Sequence, residues 1–259
     1  MRTAPLGILG HVLILLPPSE TKTRSRRGTP MRLESLSFPA LTGVREEIID
    51  GLIDASRLPD AMEVLGVPAT LGAEVDANLR LRVAPAKPAI EIYTGVLYDA
   101  LSWATLSPAG RRRAARRLLI SSAVYGVTRP GDRIAPYRTA IDADLPGAGR
   151  PTNRWKAALD AVLAPAAGPG LIVDCRSGPY AATWAPSGPL AGRWVAVRVP
   201  GASHWAKHTR GLVARALCES PADPRRPAAL VDLLAAEFDV SLTGPQRAGR
   251  PWVLDALPR

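Results

Sequence analysis

The sequence contains few cysteines, few histidines and no long apolar run, and each scarcity excludes a class of protein. Two cysteines, Cys175 and Cys218, are too few for a disulfide framework or a four-cysteine zinc site, and they suit a reducing cytoplasm. Three histidines leave little material for a metal centre, so we expect no metal and no cofactor. No run of about 18 apolar residues is present, so we expect no membrane span. The apolar segment before Pro17-Pro18 lacks a small-residue cleavage site, which predicts a cytoplasmic protein without a signal peptide.

Positive charge dominates what is present. Lys and Arg number 33 against 23 Asp and Glu, which gives a net charge of +10 at pH 7. Such an excess favours anionic partners, namely nucleic acid, nucleotides or phosphorylated metabolites. Most of the basic residues are arginine, so a general bias of composition toward arginine explains the excess equally well.

The pattern along the 259 residues is that of an α/β (mixed α+β) protein. Short apolar runs predict buried strands at 12–16, 89–93, 119–124, 137–141, 170–174, 194–199 and 252–254. Apolar residues at helical spacing predict helices at 41–55, 59–65, 69–81, 95–103, 107–119, 152–163, 203–219 and 228–238. Residues 19–39 are polar and predict a long surface loop. We expect an N-terminal extension at 1–11 and a single compact domain at 12–259, with a central mixed sheet flanked by helices.

Residues 125–138, YGVTRPGDRIAPYR, are the most informative stretch. Three arginines, Arg129, Arg133 and Arg138, stand among glycines and prolines in a segment with no helical or strand period. Guanidinium groups held at fixed positions suit phosphate or carboxylate. The alternative is a structural loop whose arginines pair with local acids such as Asp132.

Polar residues also follow two of the predicted buried strands. Ser19 and Lys22 come after the first strand, and Ser177 and Tyr180 come after the strand at 170–174. Loops at the carboxyl ends of strands are where α/β proteins bind ligands. Cys175 lies beside them and is a candidate nucleophile, but a free cysteine that continues a strand is more often an inert core residue.

A fourth cluster opens the predicted helix at 203–219. Lys207 and Arg210 share one face near the positive helix N-terminus, which favours an anion site over a solvated basic face. His204 and His208 also share a face, but the neighbouring lysine disfavours a cation. The arginine-rich stretch at 111–117 is either a solvent face or a surface for a nucleic-acid backbone.

These clusters resemble the YaaA family of peroxide stress proteins. The resemblance covers nearly the whole chain and is carried by LPPSETK (16–22), IYTGVLYDAL (92–101), SSAVYGVTRPGDRIAPYR (121–138), NRW (153–155), IVDCRSGPY (172–180) and AKHTRGLVARAL (206–217). It implies an α/β fold with a positively charged cleft, and a cytosolic protein that protects against hydrogen peroxide by lowering free iron. It also implies binding of double-stranded DNA, and no enzymatic reaction is firmly attached to the family.

Carried over residue by residue, the resemblance gives anion or nucleic-acid contacts at Lys22, Tyr93, Arg129, Tyr137, Arg138, Trp155, Lys207 and Arg210. Two departures from the commonest family pattern, at Gly178-Pro179 and at His208, weaken any strict transfer of activity.

Two functions remain open at this point. One is a monomeric stress protein that binds DNA, mainly through contacts with the phosphates, and does not bind a membrane. The other is a transferase or hydrolase acting on a nucleotide or other small anionic substrate, with catalytic candidates Ser19, Lys22, Asp132, Ser177 and Tyr180. Direct iron binding is a third and weaker reading, because iron prefers carboxylate and histidine ligands.

Overall fold

A computed structural model describes residues 11–201 and 203–259, and the strands within them form one sheet of seven strands and a separate antiparallel pair, Lys87–Pro88 with Arg133–Ile134. The predicted extension at 1–11 therefore lies almost wholly outside the described residues, as does the side chain of His204. The strands of the described part are β1 (Leu13–Leu16), β2 (Lys87–Pro88), β3 (Leu118–Ser122), β4 (Gly126–Thr128), β5 (Arg133–Ile134), β6 (Ile172–Asp174), β7 (Trp194–Arg198), β8 (Phe238–Thr243) and β9 (Trp252–Pro258).

Helices cover the faces of this sheet. In the described residues they are α1 (Thr42–Ala55), α2 (Ala61–Val64), α3 (Gly72–Asn78), α4 (Ala89–Ile92), α5 (Val96–Leu101), α6 (Pro108–Arg117), α7 (Pro151–Ala158), α8 (Asp160–Ala167), α9 (Gly178–Ala181), α10 (Ser203–Glu219) and α11 (Ala228–Leu234). Short 3₁₀ turns join several of them. Across the described ranges, none of these helices is both long and apolar enough to cross a bilayer.

The sheet is mixed, with a parallel centre and antiparallel edges. Its order is β4-β3-β1-β6-β7-β9-β8, in which only the outer pairs β3–β4 and β8–β9 are antiparallel. The central strand β1 is fully buried and entirely apolar, as parallel strands covered on both faces are. The prediction of a mixed α/β fold with a central mixed sheet flanked by helices is confirmed.

The strand order creates a crevice at one edge of the sheet. β1 lies between β3 and β6, and the chain leaves β1 toward the β3 side but leaves β6 toward β7. Where the chain leaves two adjacent parallel strands toward opposite sides, an opening forms at the carboxyl ends of those strands. The segments beginning at Pro17 and at Cys175 flank this opening.

Most predicted elements are present near their expected bounds, including β1, β3, β6, β7, α1 and α10. The helix start predicted at 107–108 is also confirmed: the Ser107 side chain accepts a hydrogen bond from the Gly110 amide at 2.9 Å.

Two strand predictions are wrong, because hydrogen bonds to other parts of the chain replace those of a strand ladder. Residues 89–93 form the helical turn α4, not a strand, and the amides of Ala89 and Ile90 donate to the 132 and 130 carbonyls of the arginine-rich loop. Residues 137–141 form no strand, since the main chain of Arg138 pairs with the side chain of Asn78. The helix predicted at 152–163 is present, but it begins one residue earlier, at Pro151, and divides into α7 and α8, which continues to Ala167.

Two further differences concern loops and the C-terminal edge. The predicted surface loop at 19–39 is anchored by the bridges Lys22–Tyr93 and Pro30–Pro85 and contains a 3₁₀ turn at Leu33–Ser35. The helix predicted to reach 238 ends at Leu234, because residues 235–237 form a turn and Phe238 begins β8, which pairs with β9. The sequence of β8, FDVSLT, alternates apolar and polar residues, and this strand pattern was not recognised in the sequence analysis.

Helices α5 and α10 approach each other at Gly211. A Cβ atom at this position would lie 2.2 Å from the carbonyl oxygen of Leu97 and 2.8 Å from Cβ of Ala100. Both distances are far inside van der Waals contact. The absence of a side chain at Gly211 therefore sets the distance between the two helices.

We predict that Gly211→Ala lowers the free energy of unfolding by about 1–3 kcal/mol, the usual cost of overpacking. Chemical denaturation followed by circular dichroism measures it. Gly43→Ala is the matched control, since Gly43 lies in α1 with nothing within 4 Å of its Cβ position. That control should be neutral or gain up to about 1 kcal/mol from helix propensity. Equal stabilisation of both variants would contradict the close approach.

Candidate anion-binding site

A cavity of about 690 Å³ opens at the carboxyl ends of β1 and β6. It is formed by six stretches of chain, at 17–22, 66–68, 94–98, 138–142, 177–180 and 207–210. Residues from all four clusters of the sequence contribute to its walls: Ser19 and Lys22, Arg138, Ser177 and Tyr180, and Lys207 and Arg210.

The segment after β1 is fixed against the chain that leads into α5. The Ser19 hydroxyl accepts from the Thr94 amide at 3.1 Å and donates to the Thr21 carbonyl. The Tyr98 hydroxyl donates to the Pro17 carbonyl at 2.7 Å. Ser19 therefore has both a donor and an acceptor partner within the loop, and its hydroxyl shapes the cavity wall.

Lys22 extends over two buried tyrosine rings. Its Nζ donates to the carbonyl oxygens of Ser19 at 2.9 Å and Glu20 at 3.3 Å, and lies 4.4 Å from the ring centre of Tyr137. Burial, and after it the positive charge of Arg138, lowers the pKa of Lys22 from 10.5 to about 7. The charges of Glu74 and Glu20 oppose this shift but do not cancel it.

Arg138 is positioned by a buried asparagine. Asn78 accepts from the Arg138 amide at 2.9 Å and donates to the Arg138 carbonyl at 2.8 Å. The Arg138 guanidinium donates to the Glu20 carbonyl at 3.0 Å and stands 3.9 Å from the Glu74 carboxylate. The main chain thus holds the side chain at the cavity, and within residues 11–201 and 203–259 the guanidinium, which has five donors, makes its one hydrogen bond to the Glu20 carbonyl.

The loop after β6 is organised by a buried ion pair. Arg176 donates to both carboxylate oxygens of Asp174, at 2.9 and 2.7 Å, and also to the carbonyls of Tyr180 and Trp184. Trp194 donates to the same carboxylate at 3.1 Å. Because Arg176 is fully engaged, it supports the loop while Ser177 and Tyr180 face the cavity.

The fourth wall is the N-terminal part of α10. Lys207 is exposed and Arg210 is half-buried, and both line the cavity from one face of the helix. Arg210 donates to the Val197 carbonyl at 3.1 Å through Nε, and its terminal nitrogens make no hydrogen bond to the part of the chain that the structure describes.

Three predicted contact residues lie in the core instead of in the cavity walls. Trp155 is fully buried and donates to the Ala123 carbonyl at 2.8 Å. The Tyr137 hydroxyl is 2.8 Å from the Ser122 hydroxyl and accepts from the Ala123 amide. Tyr93 is also buried, and within the described chain its hydroxyl has no hydrogen-bond partner. Tyr93 and Tyr137 form the floor beneath Lys22, whereas Trp155 is remote from the ligand space.

Arg129 and Asp132 do not line the cavity either. Asp132 accepts from the amide and hydroxyl of Ser37 at 3.1 and 2.8 Å, and from the Arg129 amide at 2.9 Å. The Arg129 guanidinium donates to the Arg116 carbonyl and lies 5.5 Å from the Phe38 ring centre. Asp132 is thus placed as the organiser of the arginine-rich loop, not as a base facing a ligand.

The arginine-rich stretch at 111–117 has a structural use. Arg113 donates to the carbonyls of Cys218 and Glu219, and buried Arg117 donates to those of Leu217, Ser220 and Ala222. These carbonyls lie at and beyond the C-terminal end of α10, where helix carbonyls lack partners within the helix. Arg112 and Arg116 remain exposed.

Sequence reasoning missed Asn78, Thr94 and Tyr98, which hold the cavity walls through the Asn78 and Tyr98 side chains and the Thr94 amide. A signal for Asn78 was available, because it continues the helical spacing of Leu71, just before α3, and Val75, within it. A polar residue at such a position requires a buried hydrogen-bond partner. The sequence does not say that the partner is the main chain of Arg138.

Both cysteines are buried in the core. Burial raises the pKa of Cys175 and of Cys218 to about 12. Thiolates are therefore scarce at neutral pH, which argues against Cys175 as a nucleophile.

A family model described as "Peroxide stress protein YaaA" matches residues 12–242, which include every segment of the cavity wall. A UPF0246 protein of Streptomyces coelicolor is 45% identical over 255 residues, covering 95% of this chain and 98% of the relative. A UPF0246 protein of Corynebacterium efficiens is 44% identical over 228 residues, covering 86% and 91%. A more distant one from Burkholderia lata is 27% identical over 227 residues, covering 81% and 86%.

We predict that neither cysteine reacts in the folded protein. At about pH 8 the thiol reagent DTNB should release no thionitrobenzoate from the native protein. In about 6 M guanidinium, which unfolds most proteins, it should label both thiols. Hydrogen peroxide treatment of native protein should likewise leave both thiols titratable after denaturation. Rapid stoichiometric labelling of Cys175 without denaturant would contradict the burial of this thiol.

Proposed function

The chain belongs to the peroxide stress protein YaaA family, and from this premise we propose that it acts by binding a phosphate-bearing small molecule in the cavity at the ends of β1 and β6. The observation that carries the proposal is the convergence of Lys22, Arg138, Lys207 and Arg210 on that one cavity. Their chain segments are remote in sequence, so their meeting is a property of the fold.

The charge of the lining favours an anion. The four basic side chains share the walls with two acidic ones, Glu20 and Asp142. Arginine guanidinium groups remain charged at any physiological pH and bind phosphate or carboxylate through paired N–H groups. Lys22 contributes a partial charge near neutral pH, because its pKa is about 7.

The size and the walls of the cavity favour a small molecule. Small-molecule sites usually enclose about 300–1,000 Å³ and combine apolar walls with a few polar groups. Here Leu97, Pro68 and Pro179 supply apolar surface, and Ser177 and Tyr180 supply hydroxyl groups. Nucleotides and sugar phosphates have this combination of an anionic end and a less polar body. An enzyme acting on such a ligand would use the same space, with Lys22, Ser177 and Tyr180 as the remaining candidates.

Isothermal titration with inorganic phosphate and with ADP at low salt tests the proposal. We expect Arg138→Gln to weaken binding about tenfold to a hundredfold, since a hydrogen bond to a charged group contributes about 1.5–3 kcal/mol and 1.4 kcal/mol is a factor of ten. Lys207→Gln should weaken it less, because Lys207 is exposed. The matched control is Arg112→Gln, an exposed arginine of α6 outside the cavity lining, which should leave affinity unchanged. Equal losses in Arg138→Gln and Arg112→Gln would contradict a localised site.

A second candidate, binding of duplex DNA, is favoured by a different observation. Arg24, Arg26 and Arg27 are exposed in the segment that continues from Lys22, next to the cavity. They add to a net charge of +10. Cationic side chains of this kind contact phosphates without reading base sequence.

A gel-shift titration with an arbitrary duplex at two salt concentrations tests this candidate. Affinity should fall by about a thousandfold or more between 50 and 200 mM salt if six or more phosphates are contacted. The double variant Arg26→Ala/Arg27→Ala should weaken binding and flatten the salt dependence, whereas Arg138→Gln should change it little. Absence of a shift at 50 mM salt would eliminate DNA as a ligand.

A further inference from the structure

The amine of Lys22 is held in an unusual way for a lysine in a basic cavity. Two carbonyl oxygens, of Ser19 and Glu20, accept from Nζ, and the faces of two tyrosine rings lie 4.4 and 5.8 Å away. Within the described residues Lys22 forms no ion pair. The surroundings therefore accept hydrogen bonds from the Lys22 amine but place no negatively charged group in contact with it.

Such surroundings suit a neutral amine. A neutral amine has two N–H donors and one lone pair, so two carbonyl acceptors satisfy both donors and leave the lone pair free. The charged groups that face Lys22 are Arg138, which disfavours protonation, and Glu74 and Glu20, which favour it. Burial against Tyr93 and Tyr137 also disfavours the charged form.

We propose that Lys22 forms an imine with the aldehyde or ketone carbon of a phosphate-bearing ligand held by Arg138, Lys207 and Arg210. This inference rests on the proposed anion-binding function and specifies the chemical class of the ligand. A lysine becomes a useful nucleophile toward carbonyl compounds when desolvation and a neighbouring cation keep it unprotonated. Lys22 has both features and lines the cavity.

The step balances without an added oxidant or reductant. The Nζ lone pair attacks the carbonyl carbon, and the carbon–oxygen π pair moves to the oxygen. One amine proton passes to that oxygen to give a carbinolamine. The carbon–oxygen bond then breaks, and the second amine proton leaves with the oxygen as water while the carbon–nitrogen double bond forms. The imine nitrogen then has no proton of its own; when it takes one up from solvent, the Ser19 or the Glu20 carbonyl is an acceptor for the new N–H.

Other nucleophiles near the cavity are less suited to this role. The Ser19 hydroxyl is engaged with Thr94 and Thr21, and the Cys175 thiol is buried with its pKa raised to about 12.

The chain has only four lysines, at 22, 87, 156 and 207, so covalent labelling can be assigned to single residues. Lys87 and Lys156 do not line the cavity and are internal controls.

The probe is pyridoxal 5′-phosphate, an aldehyde that carries a phosphate, followed by borohydride reduction and peptide mass mapping. At pH 7.5 we expect labelling of Lys22 to be about 10–100-fold faster than that of lysine in an unstructured peptide, whose amine has a pKa of about 10.4. The rate should rise with pH and reach half its maximum near neutral pH. Inorganic phosphate should compete, and pyridoxal without its phosphate should react more slowly.

Variants separate this inference from the proposed function. Lys22→Arg keeps a cation but cannot form an imine, so it should abolish the rapid labelling and retain binding of inorganic phosphate in titration calorimetry. Lys87→Arg should leave the labelling at Lys22 unchanged. Retained phosphate binding, with labelling that spreads evenly over the lysines or falls mainly on Lys207, would overturn the imine and leave the anion site standing. Failure of both phosphate binding and labelling would instead overturn the proposed function.

Discussion

The parallel pairing of β1 with β6 is the constraint on which the cleft depends. It sets Leu15 beside Asp174, so both strands end at the same edge of the sheet. The chain then leaves the two strands in opposite directions, and side chains placed just after either strand face one space. Helix α10 closes that space because Gly211 allows it to approach α5 at the Leu97 carbonyl. Strand order and the close contact between α5 and α10 thus set the position of the cavity, independently of the polar side chains that line it.

Much of the positive charge is committed to the fold and is not available to a ligand. Arg45 is completely buried and donates to the carbonyls of Ser37, Tyr125 and Val127. Arg117 and Arg176 bind main-chain carbonyls in the same manner. Arginine suits this use because its planar group carries five donors and is weakly hydrated. The excess of arginine therefore has a structural component, and only a small set of the basic side chains lines the cavity.

The sequence predicts which segments meet, but it does not predict what each side chain contacts. Lys22, Ser177 and Lys207 line one cavity because position after a strand, or in the first turns of a helix, determines the direction in which a residue faces, while their binding roles stay predictions. Trp155 packs in the core, and a motif residue of that kind looks the same in sequence as one that lines a cavity. Residues 89–93 alternate like a strand, yet the arginine-rich loop supplies their hydrogen bonds and they form a helical turn. Such outcomes depend on partners about 40 residues away or more, which local pattern does not contain.

The chemistry of the cleft bears on how a protein of this family is connected with peroxide. Capture of iron needs carboxylate or histidine ligands, whereas the basic side chains of the cavity outnumber Glu20 and Asp142 and repel a cation. Direct sensing of peroxide needs an accessible thiolate, whereas both thiols are buried and have a pKa of about 12. The residues present therefore disfavour both direct routes. The route that these residues favour for an effect on peroxide damage is the proposed anion site, with the amine of Lys22, whose pKa is lowered to about 7, in its wall.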